Sequence, residues 1–234
     1  MRQADVALIG GTGIGERLAA LGGSPLHVPT PFGVMRGRSV QIGERSVVIV
    51  RRHSIGHKVP PHMVRYGAIA DGLRRLGVGC CFSTAAVGSL RSDWSVGTLA
   101  TCTDFLDMTG RGTTLFSQGV RHTDFTTPFE SSGLLCSDDV RTSCAYACMN
   151  GPRYETPIEV AVLRKLGCDV VGMTVASEAT VMREAGISYG CLAVVTNMGC
   201  GLGCGQLSHG EVGDVMSSCG GRIVEILLEA VKKA

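Results

Sequence analysis

The chain has 234 residues, of which 44% are hydrophobic and 18% charged, with a formal net charge of +2 at neutral pH. A chain of this length buries well over half of its unfolded surface, and the low charged fraction points to a large core with surface left over for partner subunits. The basic residues are scattered, which excludes the Lys/Arg tracts of a nucleic-acid binder, and there is no signal-peptide pattern and no apolar run long enough to cross a bilayer, so a cytoplasmic protein is expected.

In chain order, Asp5–Ile9 reads as a buried strand that breaks into Gly10-Gly11-Thr12-Gly13-Ile14-Gly15 and a helix-like segment. Residues 39–42 and 46–51 read as a hairpin around Gly43-Glu44-Arg45. Met63, Tyr66, Ile69, Ala70 and Leu73 recur at helical spacing and predict a helix over 62–76, stopped by Gly77. Strands are expected near 79–84 and 98–103, a helix over 157–166 opened by Pro157, a strand at 169–173, a helix at 176–185 and a strand at 189–196. A last helix over 209–232 follows Ser208, with Glu211 three residues on as its capping-box partner. Alternating strands and helices predict a mostly parallel sheet covered on both faces, in one domain spanning 1–234. The eleven cysteines are odd in number and irregularly spaced, several inside apolar runs such as Cys80-Cys81 and Cys191. They read as small buried hydrophobes in a reducing compartment; Cys200 and Cys204, in a Gly-rich loop, lack further ligands at metal-site spacing.

Strand, Gly-Gly-Thr-Gly, then helix is a phosphate cradle by type: glycines let the backbone approach an anion and Thr12 adds a hydroxyl. A dinucleotide site wants an acidic residue about 20 positions on, at the end of a second strand. Here that region is Val28-Pro29-Thr30-Pro31-Phe32-Gly33, which offers no acid and reads as no strand. The motif alone leaves phosphate, dinucleotide and a plain tight turn open.

Later segments decide between them. Gly10-Gly11-Thr12-Gly13, Thr30-Pro31-Phe32-Gly33, Arg52-His53 with His57, Pro60 and His62, and Ala86-Val87-Gly88-Ser89-Leu90 stand in the order and spacing of the purine nucleoside and methylthioadenosine phosphorylase family. So do Asp104-Phe105-Leu106-Asp107-Met108-Thr109, Gly151-Pro152-Arg153-Tyr154-Glu155-Thr156, Gly172-Met173-Thr174 and Thr196-Asn197. The chain resembles that family from about residue 6 to 212. The resemblance implies a single-domain three-layer α/β/α fold with a mixed, barrel-like central sheet, assembled as a homotrimer or as a hexamer of two trimers. It implies inorganic phosphate as co-substrate, with no metal and no organic cofactor.

It also implies roles. Phosphate is expected on Thr12, Arg52, the Ala86 N–H and Thr174, with His53 a further donor; the plain alternative for Arg52 and His53 is a surface ion pair at a strand end. Met173 is expected under the ribose, against the alternative of plain core, and Tyr154 against the base, where relatives often carry Phe. Glu155 and Asn197 are expected to grip the base edge. A carboxylate only accepts hydrogen bonds at neutral pH, so Glu155 suits the N1–H of hypoxanthine or guanine and not the N1 lone pair of adenine. Leaving a buried charged acceptor unpaired costs about 2–5 kcal/mol, a factor of about 30 to several thousand. Asn197 can donate to O6 and accept from N7–H, whereas adenine-cleaving relatives carry Asp there. The alternative for Glu155 is a cap on the helix at Pro157.

On the 5′ side the signals conflict. His209 matches a histidine that meets the 5′-hydroxyl in 6-oxopurine enzymes, while His57 and the short chain resemble the methylthio branch; His122 is expected to reach in from a neighbouring subunit. Arg65 and Ser177 stand where relatives commonly have Asn and Pro. The reading is a 6-oxopurine nucleoside phosphorylase of purine salvage. Its alternatives are a methylthioadenosine or methylthioinosine phosphorylase and, more distantly, an NAD-binding oxidoreductase or a catalytically silent nucleoside-binding protein.

Overall fold

The first strand, β1 (Val6–Gly10), is buried along its whole length, and its alternate side chains serve two different cores. Val6 and Leu8 pack with Ile14 and Leu18 of α1 (Ile14–Ala19) and with Val212, Met216 and Ile223 of α5 (His209–Lys233). Ala7 and Ile9 pack with Tyr66, Ile69 and Leu73 of α2 (Tyr66–Arg75) and with Val175 and Val181 of α4 (Val175–Glu184). This period-two division is what a sheet sandwiched between two helical layers requires. The computed structural model describes residues 4–203 and 208–234.

β1 lies parallel to β4 (Arg45–Arg51) on one side and β5 (Cys80–Ser89) on the other. Beyond β4 the sheet turns antiparallel through β3 (Gly33–Ile42) to β2 (Ser24–Thr30). The hairpin at Gly43-Glu44 is therefore as expected, but β3 starts well before residue 39, and residues 28–30, read as no strand, close β2. Pro25 and Pro29 disguise it. β2 ends the sheet, where a missing N–H is tolerated. Thr30 Oγ1 then fixes the turn into β3, accepting from Phe32 N at 3.1 Å and donating to Gly33 O at 2.6 Å.

β5 is the hub. It runs parallel to β11 (Ser188–Met198) along its length, and its last two residues pair antiparallel with β10 (Val170–Gly172). β10 pairs with β9 (Ala145–Cys148), β9 with β7 (Asp104–Asp107), and β11 with β6 (Leu99–Thr101), which also pairs with β8 (Val140–Arg141). Between β6 and β7 the chain hands over from one neighbour to the next, Cys102 N donating to Cys191 O at 2.9 Å and Thr103 N to Cys144 O at 3.0 Å. The circuit β5–β11–β6/β7–β9–β10–β5 closes on itself, so the sheet is mixed and barrel-like, as the resemblance implies, and not the mostly parallel sheet that alternation suggests. The buried thiols of Cys81, Cys102, Cys144, Cys148 and Cys191 belong to the core on this side, with Tyr146 and Tyr189. All ten described cysteines are free, and Cys204 lies outside the described residues.

Helix boundaries follow local chemistry. Pro60 and Pro61 hold the backbone extended and then in a short 3₁₀ turn at Pro61–Met63, so α2 begins at Tyr66 and not near 62. α3 (Pro157–Lys165) has Thr156 as N-cap in a capping box with Glu159, and α5 has Ser208 with Glu211. Among the described residues no helix is long and apolar enough to cross a membrane.

Candidate active site

The site arises from a gap in the pairing of β5. Its pairing with β1 ends at Ser83, and its pairing with β10 begins only at Gly88. Between these points β1 and β10 diverge, and the β5 edge from Ala85 to Val87 faces a cavity of about 410 Å³. This is a switch point of the sheet, where the turns after several strands converge. Thr12 follows β1, Arg52 and His53 follow β4, Ala85–Gly88 belong to β5, Met173 and Thr174 follow β10, and Thr196 and Asn197 end β11; all line the cavity.

Gly11 brings the first turn against Arg52: a Cβ there would stand 2.6 Å from Arg52 Nη1 and 2.8 Å from Thr84 O. Gly13, at φ 73°, occupies the left-handed region that favours glycine. Arg52 is 4% exposed. Its Nε and Nη2 donate to Glu178 Oε1 and Oε2 at 2.8 and 2.7 Å, and Nη1 donates to Thr84 O at 2.9 Å. Of five N–H groups, one each on Nη1 and Nη2 is left for an anion. Burial works against the guanidinium charge, but the Glu178 carboxylate outweighs it and keeps Arg52 protonated. Arg52 therefore does form an ion pair at a strand end, but a buried one and not the surface pair of the plain alternative. Glu178 in turn accepts from Tyr189 OH at 2.7 Å, and Tyr189 meets Ser83 Oγ at 2.6 Å.

His53 differs from the expectation of a donor. Its Nδ1 lies 2.8 Å from the carbonyl of Val59, which can only accept, so Nδ1 carries the hydrogen. Burial and the neighbouring Arg52 charge lower its pKa from the ordinary 6.5 to about 4. At neutral pH Nε2 is therefore a bare acceptor. The His57 ring lies against it, with centroids 4.3 Å apart, and also lines the cavity.

The opposite wall holds Tyr154, Glu155 and Met173. Met173 is half-buried and forms part of the cavity wall, not of the core clusters. Glu155 does not cap α3, because Thr156 does. Glu155 is 7% exposed, and its Oε1 is, among the described residues, the one buried side-chain oxygen or nitrogen without a hydrogen-bond partner. Burial raises its pKa. A register shift in the β11–β5 pairing between Val195 and Asn197 marks the end of the strand where Asn197 meets the cavity. There Asn197 Oδ1 accepts from Thr196 Oγ1 at 3.1 Å and Nδ2 donates to Met198 O at 3.0 Å, leaving each atom one further bond to make.

Of the remaining expected residues, one stands away from this cavity and one has a side chain outside the described residues. His122 is exposed on the long connection after β7 and is not part of the wall. His209 opens α5, but its side chain lies outside the described residues. Sequence reasoning missed Lys58, Pro61 and Val171 in the wall, and Glu178 behind it. The signal for Glu178 is an acid in the otherwise apolar run Val175-Ala176-Ser177-Glu178-Ala179, which a buried helix admits only beside a cation. Ser177, where relatives have Pro, is buried and accepts from Arg111 Nη1 at 3.2 Å. No group of three or more His, Cys, Asp or Glu among the described residues is placed to hold a metal ion.

A barrel-like mixed sheet with an anion-ready pocket at its switch point and a carboxylate–amide pair opposite defines the nucleoside phosphorylase class, and comparison with known proteins agrees. The sequence profile of the Phosphorylase superfamily matches residues 5–232. The chain belongs to that family. It is 36% identical to a probable 6-oxopurine nucleoside phosphorylase of Moorella thermoacetica, over 97% of this chain and 92% of that protein. It is 34% identical to a probable S-methyl-5′-thioinosine phosphorylase of Methanopyrus kandleri, over 97% and 92%. The crystal structure of methylthioadenosine phosphorylase from Schistosoma mansoni with adenine superposes with a TM-score of 0.90 at 28% identity, covering 98% of this chain and 91% of that one.

Proposed function

We propose that the chain catalyses phosphate-dependent cleavage of 6-oxopurine nucleosides and deoxynucleosides, inosine and guanosine among them, to free base and (deoxy)ribose 1-phosphate. The observation that carries this reading is the buried, partnerless Glu155 Oε1 in the cavity wall. A carboxylate held out of water asks for a donor, and the N1–H of a 6-oxopurine is one; adenine presents a lone pair. Asn197 complements it, its free Nδ2–H serving O6 and its free Oδ1 position serving N7–H.

In this reading phosphate lies between Thr12, the two unused N–H groups of Arg52, the Ala86 N–H and Thr174. His53 takes a hydrogen bond from a phosphate O–H at Nε2. Met173 packs under the ribose and Tyr154 against the base. A phosphate oxygen bonds to C1′ while the C1′–N9 pair departs with the purine; a proton from water reaches N7, the hydroxide left behind is neutralised by the phosphate's own O–H proton, and the resulting N7–H donates a hydrogen bond to Asn197 Oδ1. The rate gain is electrostatic, from charged groups fixed in advance around a ribosyl cation. No covalent intermediate, metal or organic cofactor enters this scheme. His57 and His209 would serve the sugar, and His122 would come from a neighbouring subunit of a cytoplasmic homotrimer, or of a hexamer of two trimers, formed by single-domain chains and acting in purine salvage.

A second reading, a 5′-methylthioinosine substrate, draws on Val212, an apolar wall residue. It keeps the same base contacts. A phosphate-dependent assay with inosine, guanosine, methylthioinosine, methylthioadenosine and adenosine separates these outcomes. The proposal expects inosine or guanosine to lead; methylthioinosine leading would move the assignment to the second reading, and methylthioadenosine far ahead of every 6-oxo compound would overturn the base argument.

A further inference from the structure

Arg111 stands outside the cavity wall, yet its guanidinium touches the backing of three of its sides. It is carried by the connection after β7, where Thr109 N bonds Asp107 Oδ1 at 2.8 Å and Arg111 N bonds Thr109 Oγ1 at 3.0 Å. Nη1 donates to the backbone carbonyl of Met173 at 2.9 Å and to Ser177 Oγ at 3.2 Å, at the entry to α4. Nε donates to Asn150 Oδ1 at 2.8 Å, and Nη2 to the Asn150 carbonyl. Nη1 also reaches Tyr66 OH at 3.3 Å, with the cation 5.8 Å from the ring centroid, and Tyr66 OH donates to Pro61 O at 2.9 Å. Asn150 leads into Pro152, Tyr154 and Glu155, and these line the cavity together with Met173 and Pro61.

We propose that Arg111 is a positioning residue that fixes the Glu155 segment relative to Met173, setting the distance between base grip and ribose platform. The inference rests on the functional reading above. Only a planar fork satisfies Asn150 and Met173 together; an ammonium is a point charge on a flexible stem. Of the phosphate groups, Arg52, Thr12 and Ala86 hang on other elements, and only Thr174 adjoins the Met173 carbonyl that the fork holds. Loss of the clamp should therefore act on the nucleoside and leave phosphate largely alone.

The test is steady-state kinetics with inosine and phosphate varied separately, for the parent protein, Arg111→Ala and Arg111→Lys, alongside Tm. A misplacement of the order of an ångström costs about 100-fold, so Arg111→Ala should lose roughly that in kcat/KM for inosine. KM for phosphate should move less than about threefold, and Arg111→Lys should recover no more than about a tenth of the parent's value. An inosine kcat/KM within about threefold of the parent in Arg111→Ala, or in Arg111→Lys should the alanine variant not fold, overturns the proposal. So does a parallel decline of both substrates' constants with a lowered Tm, which marks a purely structural role. A parent protein without inosine phosphorolysis overturns the functional reading, and this inference with it.

Discussion

Two side chains show how burial turns ordinary residues into instruments. Glu178 is fully buried and holds Arg52 in a two-point grip. Such a pair adds little net stability, but removing one partner strands the other's charge. Glu178→Ala should therefore cost about 3–5 kcal/mol of unfolding free energy in denaturant titrations and raise KM for phosphate; an unchanged phosphate KM would show that Arg52 needs no such support. His53 gives a pH signature. Its folded pKa of about 4 lies below the ordinary 6.5, so between these values the unfolded chain binds more protons than the folded one. Stability must then rise with pH across that window, and the increment is lost as pH falls. Unfolding free energies at several pH values should show a steeper rise in the parent than in His53→Asn, whose amide N–H can still meet Val59 O; equal slopes would mean that His53 titrates normally. Thr12 was legible in the Gly-rich turn after a strand, whereas Arg52, His53 and Thr174 were named through the family resemblance. Glu178 and Arg111 were reached by neither: the acid among the buried residues of α4 says that a cation is near but not which one, an arginine in a loop says nothing locally, and their partners lie 126 and 62 residues away.

At the scale of elements, caps and bulges place the site. The Thr156–Glu159 box fixes where α3 starts, and so where the segment carrying Glu155 must end: Thr156 Oγ1 accepts from Glu159 N at 3.3 Å and Glu159 Oε2 from Thr156 N at 2.7 Å. Thr156→Ala should cost about 1 kcal/mol in thermal or chemical unfolding. It should raise KM for inosine with little change in KM for phosphate; an equal effect on both would unlink the cap from base recognition. Most elements were readable from periodicity and caps, including β1, α3, α4, β11 and α5. β2 hid behind its prolines. β7, β8 and β9 are only two to four residues long, too short to carry a legible alternating pattern, so only pairing in three dimensions makes strands of them. The closure of the barrel depends on β7 and β9, which is why local reasoning pointed to a mostly parallel sheet and family resemblance to a mixed one.

For the whole molecule, a β5 shared among three neighbours creates an unpaired edge, and the edge becomes a cavity with anion donors on one side and a base grip on the other. Exposed apolar side chains at Ile158 and Val162 on α3 and at its C-cap Leu166 recur every four residues, the kind of surface that a subunit contact would cover. The centre of the account is that the Glu155 carboxylate, with its partnerless Oε1, selects the purine. The ratio of kcat/KM for inosine to that for adenosine, in saturating phosphate, tests it most directly in the parent protein and in Glu155→Gln. The ratio should exceed about 30 in the parent and collapse toward unity in the variant, whose amide can both donate and accept. Adenosine cleaved as well as inosine by the parent, or a ratio untouched by the substitution, would contradict it.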